Sequence, residues 1–127
     1  MMIGSMLADY RPHSWRQFCS LAPFLNDQHL CRIIEQAVAP AFHVGRTEIW
    51  LQTRGGPDAA FARQVAMYLA HVCGGLTYTQ VGRLFARDRT TVAHACWRVE
   101  DLREDAVFDR IVELLEGVMR LLAPRRA

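Results

Sequence analysis

The stretch YTQVGRLFARDRTTVAHACWRVEDL, residues 78–102, decides the fold. It begins just after Thr77, and Thr77-x-x-Gln80 has the spacing of a capping box, in which each side chain satisfies the other residue's backbone N–H at a helix start. The short helix that follows carries Val81, Leu84 and Phe85 on one face. Ala86-Arg87 makes a brief turn, and Asp88 stands where it can cap a longer helix over about 89–103. Wound at about 100° per residue, that second helix gathers Val92, Ala95, Cys96, Val99 and Leu102 on the side that must face a core. Thr90, His94, Trp97 and Asp101 fall on the opposite side, with Arg98 beside them and Arg89 and Thr90 at the N-terminus. A short helix, a tight turn and a longer capped helix outline a helix-turn-helix, whose second helix meets base edges with its N-terminal residues. A surface helix with an accidental polar face fits the same outline, so the outline alone does not decide for DNA.

Upstream, residues 59–73 read as a helix capped by Asp58, with Phe61, Val65, Leu69 and Val72 as its stripe and Gly74-Gly75 as its stop. Before it lie a loop over 53–58, a short helical turn over 47–51 that buries Ile49 and either Trp50 or Leu51, and a helix over 27–39 capped by Asn26 or Asp27. Pro40 marks the end of that helix. Residues 14–25 place Trp15, Phe18, Ala22 and Leu25 at helical spacing, with Ser14 as cap and Pro23 limiting the length. Downstream, a final helix over 106–122 is stopped by Pro124. No segment alternates as a strand does. The expected fold is all-α, a compact helical bundle containing a helix-turn-helix with extra N- and C-terminal helices. Residues 1–26 form an extension with a short helix, and residues 27–127 form the domain.

The chain has 127 residues, 51% hydrophobic and 22% charged, the composition of an ordinary globular domain. Its longest apolar runs are too short for a membrane span, and the opening Met1-Met2-Ile3-Gly4-Ser5-Met6-Leu7 lacks the basic start of a secretory signal. Every one of the 15 basic residues is arginine. Without lysine there is no P-loop lysine and no Schiff base, which removes most kinase-like phosphate handling as well, and no nucleotide is expected as a partner. Ser5, Ser14 and Ser20 are the only serines, and no nucleophile, base and orienting group fall together. No catalytic residue, cofactor or metal is expected.

Cys19, Cys31, Cys73 and Cys96 contain no C-x-x-C pair. The pairs His29/Cys31, His71/Cys73 and His94/Cys96 are two residues apart, which on a helix points them roughly 200° away from each other and prevents joint chelation. Reduced, mostly buried thiols in a cytoplasmic protein are the expected state. The net charge is +2. Between Arg46 and Arg103, eight arginines face Glu48, Asp58, Asp88, Glu100 and Asp101, so the middle of the chain is the mildly basic part. A scattered solvated surface would give the same distribution, and charge does not decide between the two.

Sequence detail adds what charge cannot. Arg63-Gln64-Val65-Ala66-Met67-Tyr68-Leu69-Ala70, then Tyr78-Thr79-Gln80-Val81-Gly82, then Arg87-Asp88-Arg89-Thr90-Thr91-Val92-Ala93-His94-Ala95-Cys96 together resemble the C-terminal DNA-binding domain of the bacterial replication initiator family, DnaA. That family's signature reads like G-R-D-H-T-T-V-x-H-A-C, preceded by R-Q-x-A-M-x-L. The likeness reaches back through 27–39 and Phe42-His43-Val44 and forward to about Arg103. The initiator's ATPase module is not contained in these 127 lysine-free residues. The resemblance implies that Arg63 and Gln64 hold phosphates from the start of their helix, and that Thr91, His94 and Arg98 do so from the recognition helix. It implies that Arg87 belongs to the DNA-binding set and that Asp88, Arg89 and Thr90 face the bases. It makes Arg54 the nearest candidate for an arginine entering the minor groove.

Four departures stand out: Arg89 replaces the family's histidine, the loop 54–58 is poor in basic residues, Trp97 replaces a basic residue, and the turn before Arg87 is one residue shorter. The expected function is sequence-specific double-stranded DNA binding as a regulator of transcription or replication initiation, in the cytoplasm and on the nucleoid. The alternative is a protein-interaction module that keeps the fold and has lost DNA binding. In the final helix, Phe108, Ile111, Leu115, Val118 and Leu122 fit a seam through which two copies could form a homodimer. Packing by helix 14–25 within one chain could cover the same residues, and the sequence leaves the two open.

Overall fold

A computed structural model describes residues 25–51 and 56–122. Five α-helices and one 3-10 turn make up the described part, with no strand among these residues. They are α1 (Leu25–Ala41), the 3-10 turn (Arg46–Trp50), α2 (Pro57–Val72), α3 (Tyr78–Phe85), α4 (Arg89–Leu102) and α5 (Ala106–Leu122). The helix expected at 14–25 lies outside the described residues except for Leu25, which opens α1, and Pro124 lies outside them as well.

α2 is the central element, packing on α1, the 3-10 turn, α3, α4 and α5. Its run Val65-Ala66-Met67-Tyr68-Leu69-Ala70 is buried throughout, because a helix with neighbours on every side needs apolar groups all round. Ala59, Ala62, Ala66 and Ala70 are buried as well, and their small side chains admit the adjoining helices closely. Leu69 is fully buried, so Leu69→Ala should cost about 2–5 kcal/mol through lost transfer energy and a cavity.

The helix ends follow from local chemistry, with two corrections. α2 starts at Pro57, earlier than an Asp58 cap requires; Gly56 is the cap position, and Asp58 adds its charge to the first turn. Proline is suited to that first position, where its missing N–H has no partner in any case. α1 runs one residue past Pro40 and closes with the N–H of Val44 on the carbonyl of Ala39 (3.0 Å) and that of His43 on Pro40 (3.3 Å). His43 occupies the left-handed region at φ 58°, a place glycine usually takes. After α2, Gly75 at φ 73° turns the chain away. α5 is capped by Asp105, whose Oδ2 accepts from the N–H of Phe108 at 2.8 Å.

Of the 3-10 turn, Ile49 and Trp50 are buried and Leu51 is half-buried. Trp50 stacks on Phe85 of α3 with ring centroids 4.6 Å apart and donates its indole N–H to the buried Glu35 of α1. At the far end of α4, Arg103 donates from Nε to Asp109 (2.6 Å) and from Nη1 to Glu116 (2.8 Å) and the Tyr68 hydroxyl (2.9 Å). Burial pulls that guanidinium's pKa down, but the bonds to Glu116, Asp109 and Tyr68 outweigh it and hold it above its ordinary value. These bonds tie α5 to α2 and to the end of α4.

Candidate nucleic-acid interface

Two caps set the pose of the helix pair α3 and α4. Thr77 Oγ1 accepts from the Gln80 N–H (3.1 Å) while Gln80 Oε1 accepts from the Thr77 N–H (2.9 Å), completing the expected capping box. Asp88 Oδ1 accepts from the N–H of Thr91 at 2.9 Å and starts α4. That bond, with help from the Thr91 side chain, keeps the Asp88 carboxyl below its usual pKa. Between the caps, Ala86 takes the left-handed conformation (φ 57°, ψ 46°), and the Arg87 N–H reaches back to the Gly82 carbonyl at 2.9 Å. So tight a turn leaves no room beside Gly82, where an added Cβ would lie 2.4 Å from the Arg87 carbonyl oxygen. Glycine at 82 and a left-handed alanine are the local conditions for this tight turn.

α4 divides as its periodicity requires. Val92, Ala95, Cys96 and Val99 are buried against the core and Leu102 is half-buried. Asp88, Arg89, Thr90, Thr91, His94 and Arg98 are all exposed and share one outward-facing segment. The Arg98 guanidinium carbon sits 5.8 Å from the ring centroid of Phe61, so α2 supports it from below. His94 stacks on Trp97, centroids 5.5 Å apart and planes 28° from parallel, and Trp97 is 61% exposed.

The remaining site candidates separate from this group. Arg63 is only 5% exposed and donates from Nε to the Ile49 carbonyl (3.0 Å) and from Nη2 to the Glu48 carbonyl (2.8 Å). Burial, and then the nearby Arg87, lower its pKa to about 10, still charged at neutral pH. Where the resemblance implied a phosphate contact for Arg63, the structure turns its Nε and Nη2 inward to satisfy carbonyls of the 3-10 turn. Arg87 is half-buried and joins the Phe85 carbonyl (2.9 Å) and the Leu51 carbonyl (3.0 Å), fastening the turn of the helix pair to the chain after the 3-10 turn. Gln64 is half-buried on α2, and Arg54 lies outside the described residues. Sequence reading passes over Arg83, exposed on α3. The available signal is that the first helix of such a pair crosses the phosphate backbone.

Among the described residues the thiols form no competing site. Cys31 and Cys96 are buried and Cys73 is half-buried, all free, while Cys19 lies outside the described residues. Burial and then the Glu100 charge push the Cys96 thiol up to about 11, which keeps it protonated and unreactive. Among the described residues no cluster of three metal-ligating side chains occurs, and no helix is long and apolar enough to cross a membrane.

Residues 31–99 match the family model described as the bacterial DnaA protein helix-turn-helix. The chain belongs to this DNA-binding family. Similar relatives are chromosomal replication initiator proteins DnaA. That of Mesorhizobium japonicum is 39% identical over 88 residues, covering 68% of this chain and 18% of the relative. That of Symbiobacterium thermophilum is 32% identical over 102 residues, covering 79% and 22%. The initiator of Lachnoclostridium phytofermentans is 33% identical over 85 residues, covering 65% and 18%. The chain thus spans about a fifth of the length of the relatives it matches.

Proposed function

We propose that this chain binds double-stranded DNA in a sequence-dependent way through the outward side of α4, and acts on the nucleoid as a regulator of replication initiation or transcription. The reading is carried by Arg89, Thr90, Thr91, His94 and Arg98, all exposed on a helix whose opposite side is locked into the core. Arg89 and Thr90 read bases at the start of the helix, where a guanidinium can pair with guanine O6 and N7. Thr91, His94 and Arg98 hold phosphates and fix the register. Asp88 positions Arg89 by capping, and Arg54, outside the described residues, is by resemblance the candidate for a minor-groove contact. With Arg89 in place of the family's histidine, the preferred site differs from the initiator's own, though the two proteins compete where sites overlap.

Pooled duplex fragments provide the test. With about three to five phosphate contacts at roughly −0.9 per contact in log K against log salt, affinity should fall about 40- to 500-fold between 50 and 200 mM salt. Binding that ignores salt, or none at low salt, overturns the reading. The exposed Trp97 supports the second one in that event, a partner-protein surface centred on the His94–Trp97 stack.

A further inference from the structure

The outward side of α4 carries one residue that the phosphate and base contacts leave unused. Trp97 is the large apolar side chain of this helix left exposed. His94, Arg98 and Asp101 around it are exposed and polar, and the other exposed large apolar side chains among the described residues are Val72 and members of α5. A lone aromatic group among polar ones fits a partner that offers single apolar groups within a polar surface. The major groove of duplex DNA is such a surface, and its apolar group is the C5-methyl of thymine.

Its place on the helix points the same way. At about 100° per residue and about 1.5 Å of rise, Trp97 stands about 20° round the helix from Thr90 and about 10 Å behind it. Thr91 and Arg98 lie about 80–100° to one side of that line. Thr90 and Trp97 therefore face the floor of a groove that the start of α4 enters, while Thr91 and Arg98 face its wall. A helix that enters by its N-terminus draws away from the bases toward its other end, so from the third turn only a long side chain reaches them. Trp97 has that length. His94 stacks on its ring, so less side-chain freedom is left to lose on binding. Asp101 follows on the same line and is exposed, as are Glu104 and Asp105 beyond it. Their charges repel phosphates, so the groove contact of this line ends at Trp97.

Building on the DNA-binding reading of α4, we infer that Trp97 is a further specificity-determining residue, its indole lying against the C5-methyl group of a thymine. At about 3.4 Å per base pair, the offset along the helix sets that thymine about three pairs from the one that Arg89 and Thr90 read. The contact is apolar and releases no counterion, so it adds base preference without adding to the salt dependence that Arg98 and its neighbours confer.

Deoxyuridine tests the contact, because putting it in place of thymine removes the methyl group and keeps the hydrogen-bonding edges. In a duplex selected from random DNA by the full chain, the thymines are replaced one at a time. One replacement should weaken wild-type binding about three- to fivefold, the worth of one buried methyl group. Trp97→Ala, shown to keep the wild-type denaturation midpoint, should bind more weakly at an unchanged salt slope and lose the response to that replacement. Arg98→Ala should weaken binding to both duplexes alike and keep the response. Salt-dependent binding that no replacement weakens, or a Trp97→Ala variant that responds as wild type does, overturns the inference and leaves the DNA-binding reading standing. An absence of salt-dependent binding overturns both.

Discussion

Arg63 lies in the second turn of α2 and Arg89 opens α4, and both sit in the stretches that carry the family pattern. One is buried with its donors on the carbonyls of Glu48 and Ile49, and the other is exposed at the tip of α4. Arg87 and Arg103 side with Arg63, bonded to carbonyls or carboxylates within the fold, and Arg98 sides with Arg89. Part of the arginine content of this basic stretch therefore holds helices together, and only the outward part is available to a polyanion. An arginine can serve either purpose, because its fixed fork of donors suits backbone carbonyls and phosphates equally well.

The largest effect should separate the two sets. Arg63→Ala takes a charged donor from two carbonyls of the 3-10 turn, that of Glu48 keeping the Leu51 N–H at 3.4 Å, and should destabilise the fold by about 2–4 kcal/mol, read as a lower denaturation midpoint in urea. If Arg63→Ala instead folds with wild-type stability and merely binds DNA less tightly, the division between inward and outward arginines fails. Arg89→His should leave stability unchanged and alter base preference by about 1–3 kcal/mol at the contacted pair. Selection from random duplexes checks it, and an identical motif for both proteins would remove Arg89 from base reading.

The smallest effect concerns the cap between the sets. The Asp88 carboxyl has a folded pKa below its unfolded value of 3.8, so its stabilisation is present above that pH and fades as pH falls through the lower folded value. Asp88→Asn keeps a capping oxygen without the charge, and should flatten the stability profile below about pH 4. A profile matching wild type there would mean that the cap does not depend on the ionised carboxylate.

The legible parts of this fold are those whose chemistry is local. Thr77-x-x-Gln80 and Asp88 act on N–H groups three residues away, so sequence alone locates the starts of α3 and α4. The inward side of α4 was equally readable, since one period over 14 residues leaves few ways to bury Val92, Ala95, Cys96 and Val99. The direction of Arg63 was not, because its carbonyl partners lie 14 and 15 residues earlier and reach it only through the packing of the 3-10 turn on α2. The seam of α5 was ambiguous for a similar reason. Apolar residues cover about half its circumference, and the neighbouring α1 and α2 decide that Val112, Leu115 and Met119 turn inward while Val107 and Leu114 do not. His43 and Ala86 carry no signal at all, as neither is the glycine that usually marks a left-handed residue.

The central claim is that the outward side of α4 meets DNA, and the salt gradient of duplex binding tests it most directly. Wild type should be compared with Arg89→Ala/Arg98→Ala, after both are shown to share one denaturation midpoint. The double variant should bind more weakly, with a slope in log K against log salt shallower by about one to two, as expected when one or two cationic contacts are lost. An unchanged slope and affinity in the folded double variant would contradict the assignment and place any DNA contact elsewhere on the molecule.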